Sequence, residues 1–132
     1  MSQVFSADSV NVFGSTTVTL TTETTLVTGN FLSPPFGNAK AVVSANAQLT
    51  VGTGTTSVRI IVRRNPNAEN VAVMNLNFIN VTAGNAVLLA GQVADPIPDG
   101  RPVQYAFTCT QNGATGNGTV NFANVTAMLI SG

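Results

Sequence analysis

An all-β fold, an antiparallel β-sandwich, is the class that this sequence predicts. Three observations carry it. Apolar and polar residues alternate with period two in segment after segment, no stretch of ten or more residues sustains a helical period, and Gly, Pro and Asn punctuate the chain at short intervals. A strand that is dry on one face must bury that face against a second sheet, so repeated one-sided strands imply two packed layers. A length of 132 residues suits one such domain.

Taken in order, residues 1–14 hold Val4, Phe5, Val10, Val12 and Phe13 with one charge, Asp8, and are too apolar for a solvated tail. They form either an edge strand packed on the domain at residues 15–132 or an arm that docks on a neighbour. Thr-rich strands follow at Ser15 to Thr22 and Thr24 to Thr28, where β-branched residues favour the extended chain. The segment Phe31 to Gly37 is extended and non-regular, and its large apolar residues lie over the core or meet another chain. Ala39 to Val51 alternates most clearly: Ala39, Ala41, Val43, Ala45, Ala47, Leu49 and Val51 share one face, and Lys40, Val42, Ser44, Asn46, Gln48 and Thr50 form the other, mostly polar one. Further strands are expected at Thr56 to Arg64, Val71 to Ile79, Ala86 to Val93, Gln104 to Thr110 and Thr119 to Ile130.

Turns are expected at Gly52 to Gly54, at Asp95 to Gly100 and from Asn112 to Gly118. Pro96 and Pro98 lack amide donors, so Asp95 to Pro102 cannot belong to a central strand and reads as a rigid surface loop. Val120 and Phe122 stand in one phase, and Val125, Ala127 and Leu129 in the other, which predicts a bulge near Asn124.

Composition narrows the function. Charged residues are 8% of the chain, five basic against five acidic, so solubility rests on neutral polar side chains and weak charge repulsion favours self-association. Five scattered cations are too few to displace phosphate counterions, which argues against a nucleic-acid partner. Apolar runs such as Ala86 to Gly91 fall far short of the ~20 residues that span a membrane, and no basic segment with an apolar stretch opens the chain. The expectation is a soluble chain made in a cytoplasm, with no membrane partner. Cys109 is the only cysteine, so no intrachain disulfide can form, and it reads as a small buried hydrophobe.

A search for chemistry leaves little. The absence of His removes the usual general base and the commonest metal ligand. Asp95 and Asp99 are the one close carboxylate pair, and in a Pro-rich turn Asp normally caps its own backbone, a reading preferred here over a metal or acid–base role. Arg59 and Arg63 share a strand face, where they either pair with acidic groups of a partner or lie solvated over apolar neighbours. Tyr105 alternates with Val103, Phe107 and Cys109 and is either a core residue with a satisfied hydroxyl or part of a subunit interface. The glycosylation-type triplets at Asn80, Asn117 and Asn124 are explained by the abundance of Asn and Thr, and Gly113 to Gly118 opens no helix and is not a phosphate loop. No catalytic residue, cofactor site or metal site is expected.

Four segments, Gly52 to Ile60, Val81 to Asn85, Gly100 to Phe107 and Val125 to Ile130, resemble trimeric jelly rolls of the tumour necrosis factor-like kind. In particular they are similar to the cement, or decoration, proteins of tailed-phage capsids. The resemblance spans residues 38 to 130 and implies a jelly-roll sandwich forming a homotrimer, with Tyr105 and Phe107 as candidates for the threefold contact. It also implies a virion structural protein on the outer capsid surface with the major capsid protein as partner. Val4, Phe5, Val12, Phe13, Arg59 and Arg63 are the candidate partner-binding residues. The length leaves little room for a full eight-stranded roll plus an arm, so a reduced sandwich stays open. The alternative function is a receptor- or carbohydrate-binding head, although one Tyr and no Trp offer few rings for stacking on a sugar.

Overall fold

The computed structural model describes residues 4–18, 21–34, 37–79 and 81–131. Among them are eight strands: β1 (Val4–Val18), β2 (Thr24–Thr28), β3 (Ala39–Thr50), β4 (Ser57–Arg64), β5 (Val71–Ile79), β6 (Ala86–Ile97), β7 (Tyr105–Asn112) and β8 (Gly118–Ser131). They form two four-stranded antiparallel sheets in the orders β1-β8-β3-β6 and β2-β7-β4-β5. Every connection except β4 to β5 crosses from one sheet to the other. This is the strand order of an eight-stranded jelly roll. The expected jelly-roll sandwich is thus present in full rather than in the reduced form left open by the length, and the strand that completes it is β1. The boundary expected at residue 14 falls inside that strand, and the strand expected from Ser15 is its continuation.

Alternation in the sequence becomes the two faces of each strand. The odd positions of β3, from Ala41 to Leu49, are at most 3% exposed and point into the sandwich. Opposite them the second sheet contributes Val58, Ile60 and Val62 from β4 and Tyr105, Phe107 and Cys109 from β7, all in one cluster. Small residues on β3 leave volume that the two rings of β7 help to fill, as a core of native density requires.

Gly91 serves the same layer. A Cβ there would stand 2.7 Å from both Met74 Sδ and Leu76 Cδ1, so its missing side chain is what lets β5 approach β6.

Two expectations are corrected by register. β6 runs on through Pro96 to Ile97, paired with β3, because it is a sheet edge, where a proline without an amide donor is tolerated. The bulge lies at Asn121, three residues before Asn124: β8 passes from Phe122 opposite Gln48 to Val120 opposite Leu49. As a result Phe122 turns outward with Asn124 and Thr126, while Ala123, Val125 and Ala127 are buried.

Each end of the sandwich is closed by polar groups. At one end the buried Gln111 accepts from Gly52 N–H at 2.6 Å and donates to the Val18 carbonyl at 3.4 Å. At the other, Asp95 of β6 accepts from Arg64 of β4 and from the Tyr105 hydroxyl of β7, both at 2.6 Å, and so ties the two sheets together. Of the segment Phe31 to Gly37, Leu32 covers the core, 8% exposed and bridged to Val103, whereas Phe31 is 62% exposed. Phe36 lies outside the described residues.

Candidate functional site

The chemistry-bearing side chains are occupied in holding the fold. Arg64 binds Asp95 and Glu69, Arg101 binds Glu69 and Asp99, and Asn65 donates to Glu69 at 3.0 Å. Burial opposes the charge of Arg64, yet the hydrogen bonds of Glu69 and Asp95 outweigh it, and its pKa is raised. Burial, reinforced by the Asp95 hydrogen bond, drives the Tyr105 hydroxyl far above its ordinary value, so it stays a donor. Asp95 is thus no turn cap, as the spacing of the two carboxylates had suggested. Asp99 does cap its turn, accepting from Arg101 N–H at 3.3 Å. Burial alone pushes the Cys109 thiol up to about 12. Among the described residues no group of three or more Cys, Asp or Glu is placed to hold a metal ion.

What remains is a surface. Because the odd residues of β3 face inward, its even residues form the outer face of the β1-β8-β3-β6 sheet, and register aligns them with their neighbours in rows. One row runs Ala7, Met128, Val42, Ala94; the next Ser9, Thr126, Ser44, Gln92. A third runs Asn11, Asn124, Asn46, Ala90, and a fourth Phe13, Phe122, Gln48, Leu88.

The outer rows are thus largely apolar, and the two between them neutral and polar. Phe13 and Leu88, at opposite edges, are 75% and 80% exposed, and the Phe13 and Phe122 rings lie 5.2 Å apart.

On the β1–β8 side of the face the polar groups bond one another. Asn124, 8% exposed, donates to Asn11 Oδ1 at 2.9 Å and to Ser9 Oγ at 3.0 Å, and accepts from Thr126 at 3.0 Å. A face whose polar groups already bond one another loses less on leaving water than one whose groups bond only water. Among the described residues Lys40 is the one charge on this face; Asp8, although on β1, faces inward and holds the β2–β3 connection through two hydrogen bonds from Asn30. The opposite outer face is different. There Arg63 grips Glu23 with two bonds of 2.6 and 2.7 Å, and that bond, helped by Thr108 and opposed by burial, holds Glu23 below the usual carboxylate range.

The residues singled out from sequence are scattered by the fold. Tyr105 and Phe107, expected at a threefold contact, are corrected: they are 2% and 0% exposed inside the sandwich, so neither can meet another subunit. Val12 is partly buried against the core, whereas Phe13 is on the neutral face. The side chains of Val4 and Phe5 lie outside the described residues. Arg63 is paired with Glu23, and Arg59 is exposed, with no ion pair among the described residues. Sequence reading missed Leu88, Met128 and Phe122. The even-position alternation of Ala86 to Ala94 was the available signal for Leu88.

No protein-family model matches the sequence, and no curated protein matches it. Among solved structures, the VP2 protein of infectious bursal disease virus in derived particles aligns over 98% of this chain at 9% identity, with a TM-score of 0.54. The Gx strain of the same virus gives 10% identity over 98% and a TM-score of 0.52. What is shared is the fold. This chain spans about a third of the length of those viral chains, 35% and 33%. A Bacillus endospore appendage, one of a family of disulfide-linked pili, aligns over 97% of this chain and 89% of its own at 16% identity, but at a TM-score of 0.42 the likeness carries no argument.

Proposed function

We propose that the chain is a non-catalytic structural protein of a virus particle: a homotrimeric decoration protein on the outer surface of a capsid, bound to the major capsid protein. The observation that carries this reading is the neutral, hydrogen-bonded sheet face, with Phe13 and Leu88 standing free at its edges. A face of that chemistry suits permanent contact between protein copies, because Lys40, at one end, is its one charge among the described residues and the apolar rows gain from leaving water. The likeness of the roll to viral VP2 chains supports the virion setting. Attachment would work by multivalency, since the first subunit to dock raises the effective concentration of the other two. Arg59, exposed on the sheet opposite the neutral face, is the candidate for the capsid contact.

The test has two parts. Sedimentation of the purified chain should give about 40 kDa, three copies of 13.5 kDa, at micromolar concentration. Added to capsid shells stripped of accessory proteins, it should pellet with them to saturation, and Arg59→Glu should weaken that binding. A monomer that stays in the supernatant overturns the proposal. Saturable glycan binding by the free chain would favour the receptor-binding alternative.

A further inference from the structure

We infer that β5 is a self-pairing edge: the β5 strands of two copies lie antiparallel about a two-fold axis at Leu76 and join their β2-β7-β4-β5 sheets into one sheet of eight strands. This contact goes beyond the trimeric reading above, since it links copies in pairs and uses a different part of the surface.

The edges themselves single out β5. A strand at a sheet edge leaves a row of N–H and C=O groups unpaired, and proteins blunt such edges with bulges, prolines, charges or brevity. β1 is broken by two register shifts and turns Asp8 inward. β2 is five residues long and has a register shift of its own. β6 carries Asp95 and Pro96. β5 has nine residues, Val71 to Ile79, with neither a charge nor a proline. Its one bulge, at Val73, leaves Met74 to Ile79 in unbroken register with β4. On this undefended edge Leu76 is 39% and Ile79 67% exposed.

Symmetry selects the partner. Residues directly opposite in an antiparallel pair share a face, so a two-fold axis normal to the sheet must set one residue against its own copy. Read outward from Leu76, the run Met74-Asn75-Leu76-Asn77-Phe78 has the same chemistry in both directions. With Leu76 at the axis, Asn75 stands opposite Asn77 of the second copy on the outer face, and Met74 opposite Phe78 on the inner one. Apolar meets apolar and amide meets amide at every pair, and beyond them Ile79 meets Val73. Leu76 lies over Gly91 of β6 at the open flank of the sandwich, and a second Leu76 completes its cover. The neighbouring registers lack this match. An axis at Asn75 runs the pairing across the bulge, and one at Asn77 opposes Asn75 to Ile79.

Size sets the strength. Seven residues, Val73 to Ile79, make a joint about 24 Å long, and at one ~10 Å sandwich depth it covers about 240 Å², well under the ~800 Å² per partner of a stable interface. The contact is therefore weak between free copies and takes hold where copies are already held side by side, because their effective concentration is then high.

The test is oxidative cross-linking of the full chain through introduced cysteines, since opposite Cα atoms of an antiparallel pair, about 4.5–5.5 Å apart, are within disulfide reach. Position 76 is the one set opposite itself, so Leu76→Cys at high protein concentration should give a covalent dimer, twice 13.5 kDa, on a denaturing gel. Asn75→Cys and Asn77→Cys should cross-link poorly alone and readily when mixed. Both positions are exposed, so the fold tolerates them, and Cys109 is buried and stays out of the reaction. As a second readout, the sedimentation coefficient of the parent chain should rise between micromolar and millimolar concentration. That of Asn75→Lys/Asn77→Lys, which opposes Lys to Lys in both amide pairs, should not, with unchanged circular dichroism. Self-cross-linking of Asn75→Cys as strong as that of Leu76→Cys overturns the register. No cross-link at any of the three positions, or association that survives the double Lys variant, overturns the edge. A parent chain that is monomeric at micromolar concentration yet cross-links through Leu76→Cys overturns the trimeric reading and upholds this contact.

Discussion

Asp95→Ala should be among the most damaging single changes in the molecule. Its carboxylate is 5% exposed and takes two bonds of 2.6 Å, one from Arg64 and one from the Tyr105 hydroxyl, across the gap between the sheets. Removing it leaves that hydroxyl without an acceptor in the interior, which costs about 1–3 kcal/mol. Arg64 keeps Glu69 at 2.6 Å, so its charge is not stranded, but it loses its more deeply buried partner. Together the loss should be about 3–5 kcal/mol, against a total stability for domains of ~5–15 kcal/mol. Urea denaturation with an unchanged m-value is the assay, and a fall in Tm of roughly 10–20 °C should accompany it. Tyr105→Phe removes the orphaned hydroxyl, so in the double variant the two losses should fall short of their sum by about 1–2 kcal/mol. A cost for Asp95→Ala below about 1 kcal/mol, or strict additivity with Tyr105→Phe, would refute the account of Asp95 as the tie between sheets.

Other outcomes follow from the same structure. Deleting residues 1–14 strips most of β1 from β8 and bares a long strand edge, so the truncated chain should melt lower and aggregate; a wild-type Tm would contradict the pairing. Gln111→Leu, close in size, leaves the Gly52 N–H without its 2.6 Å acceptor and should cost about 1–3 kcal/mol, with faster hydrogen exchange at that amide as the specific sign. Cys109 should resist thiol reagents in the native state, being fully buried. Its pKa is raised in the fold from 9.0 to about 12, so the thiol is neutral in the native chain at a pH where it ionises in the unfolded one; its contribution to stability is whole below pH 9.0 and is lost as pH rises toward 12. Cys109→Ala should lessen that alkaline loss, and an unchanged slope of stability between those values would count against it.

The sequence made the sandwich legible wherever one face of a strand is dry and the other wet, as in β3. It misled where that simple rule fails. In β1, Val10 and Val12 face the core while Phe13 faces out, and Asp8 occupies an inward position because Asn30 satisfies it. With large apolar side chains on both faces, such a segment reads from sequence as either an edge strand or a docking arm. Phe122 was misassigned because a bulge one residue long inverts every side chain on one side of it. Asp95 looked like a turn residue because its partner Arg64 lies 31 positions away, a distance that only the fold closes. The low charge was visible in the composition, but its concentration away from one sheet face was not, since that depends on which strands become neighbours.

The pairing of β1 with β8 joins the first and last strands of the roll, with Val4 opposite Ile130. During synthesis the first strand therefore waits for the last. At ~5–20 residues per second, its partner is complete only about 6–23 s after β1 itself, and until then the apolar segment around Val10 and Phe13 has no edge to lie on. Contacts this distant in sequence also close slowly, because the loop entropy is lost before the strand pairing offsets it. Folding of this roll is accordingly completed late, only once its last strand is made, and the interval before it is when the roll is most exposed to association with unfinished copies of itself.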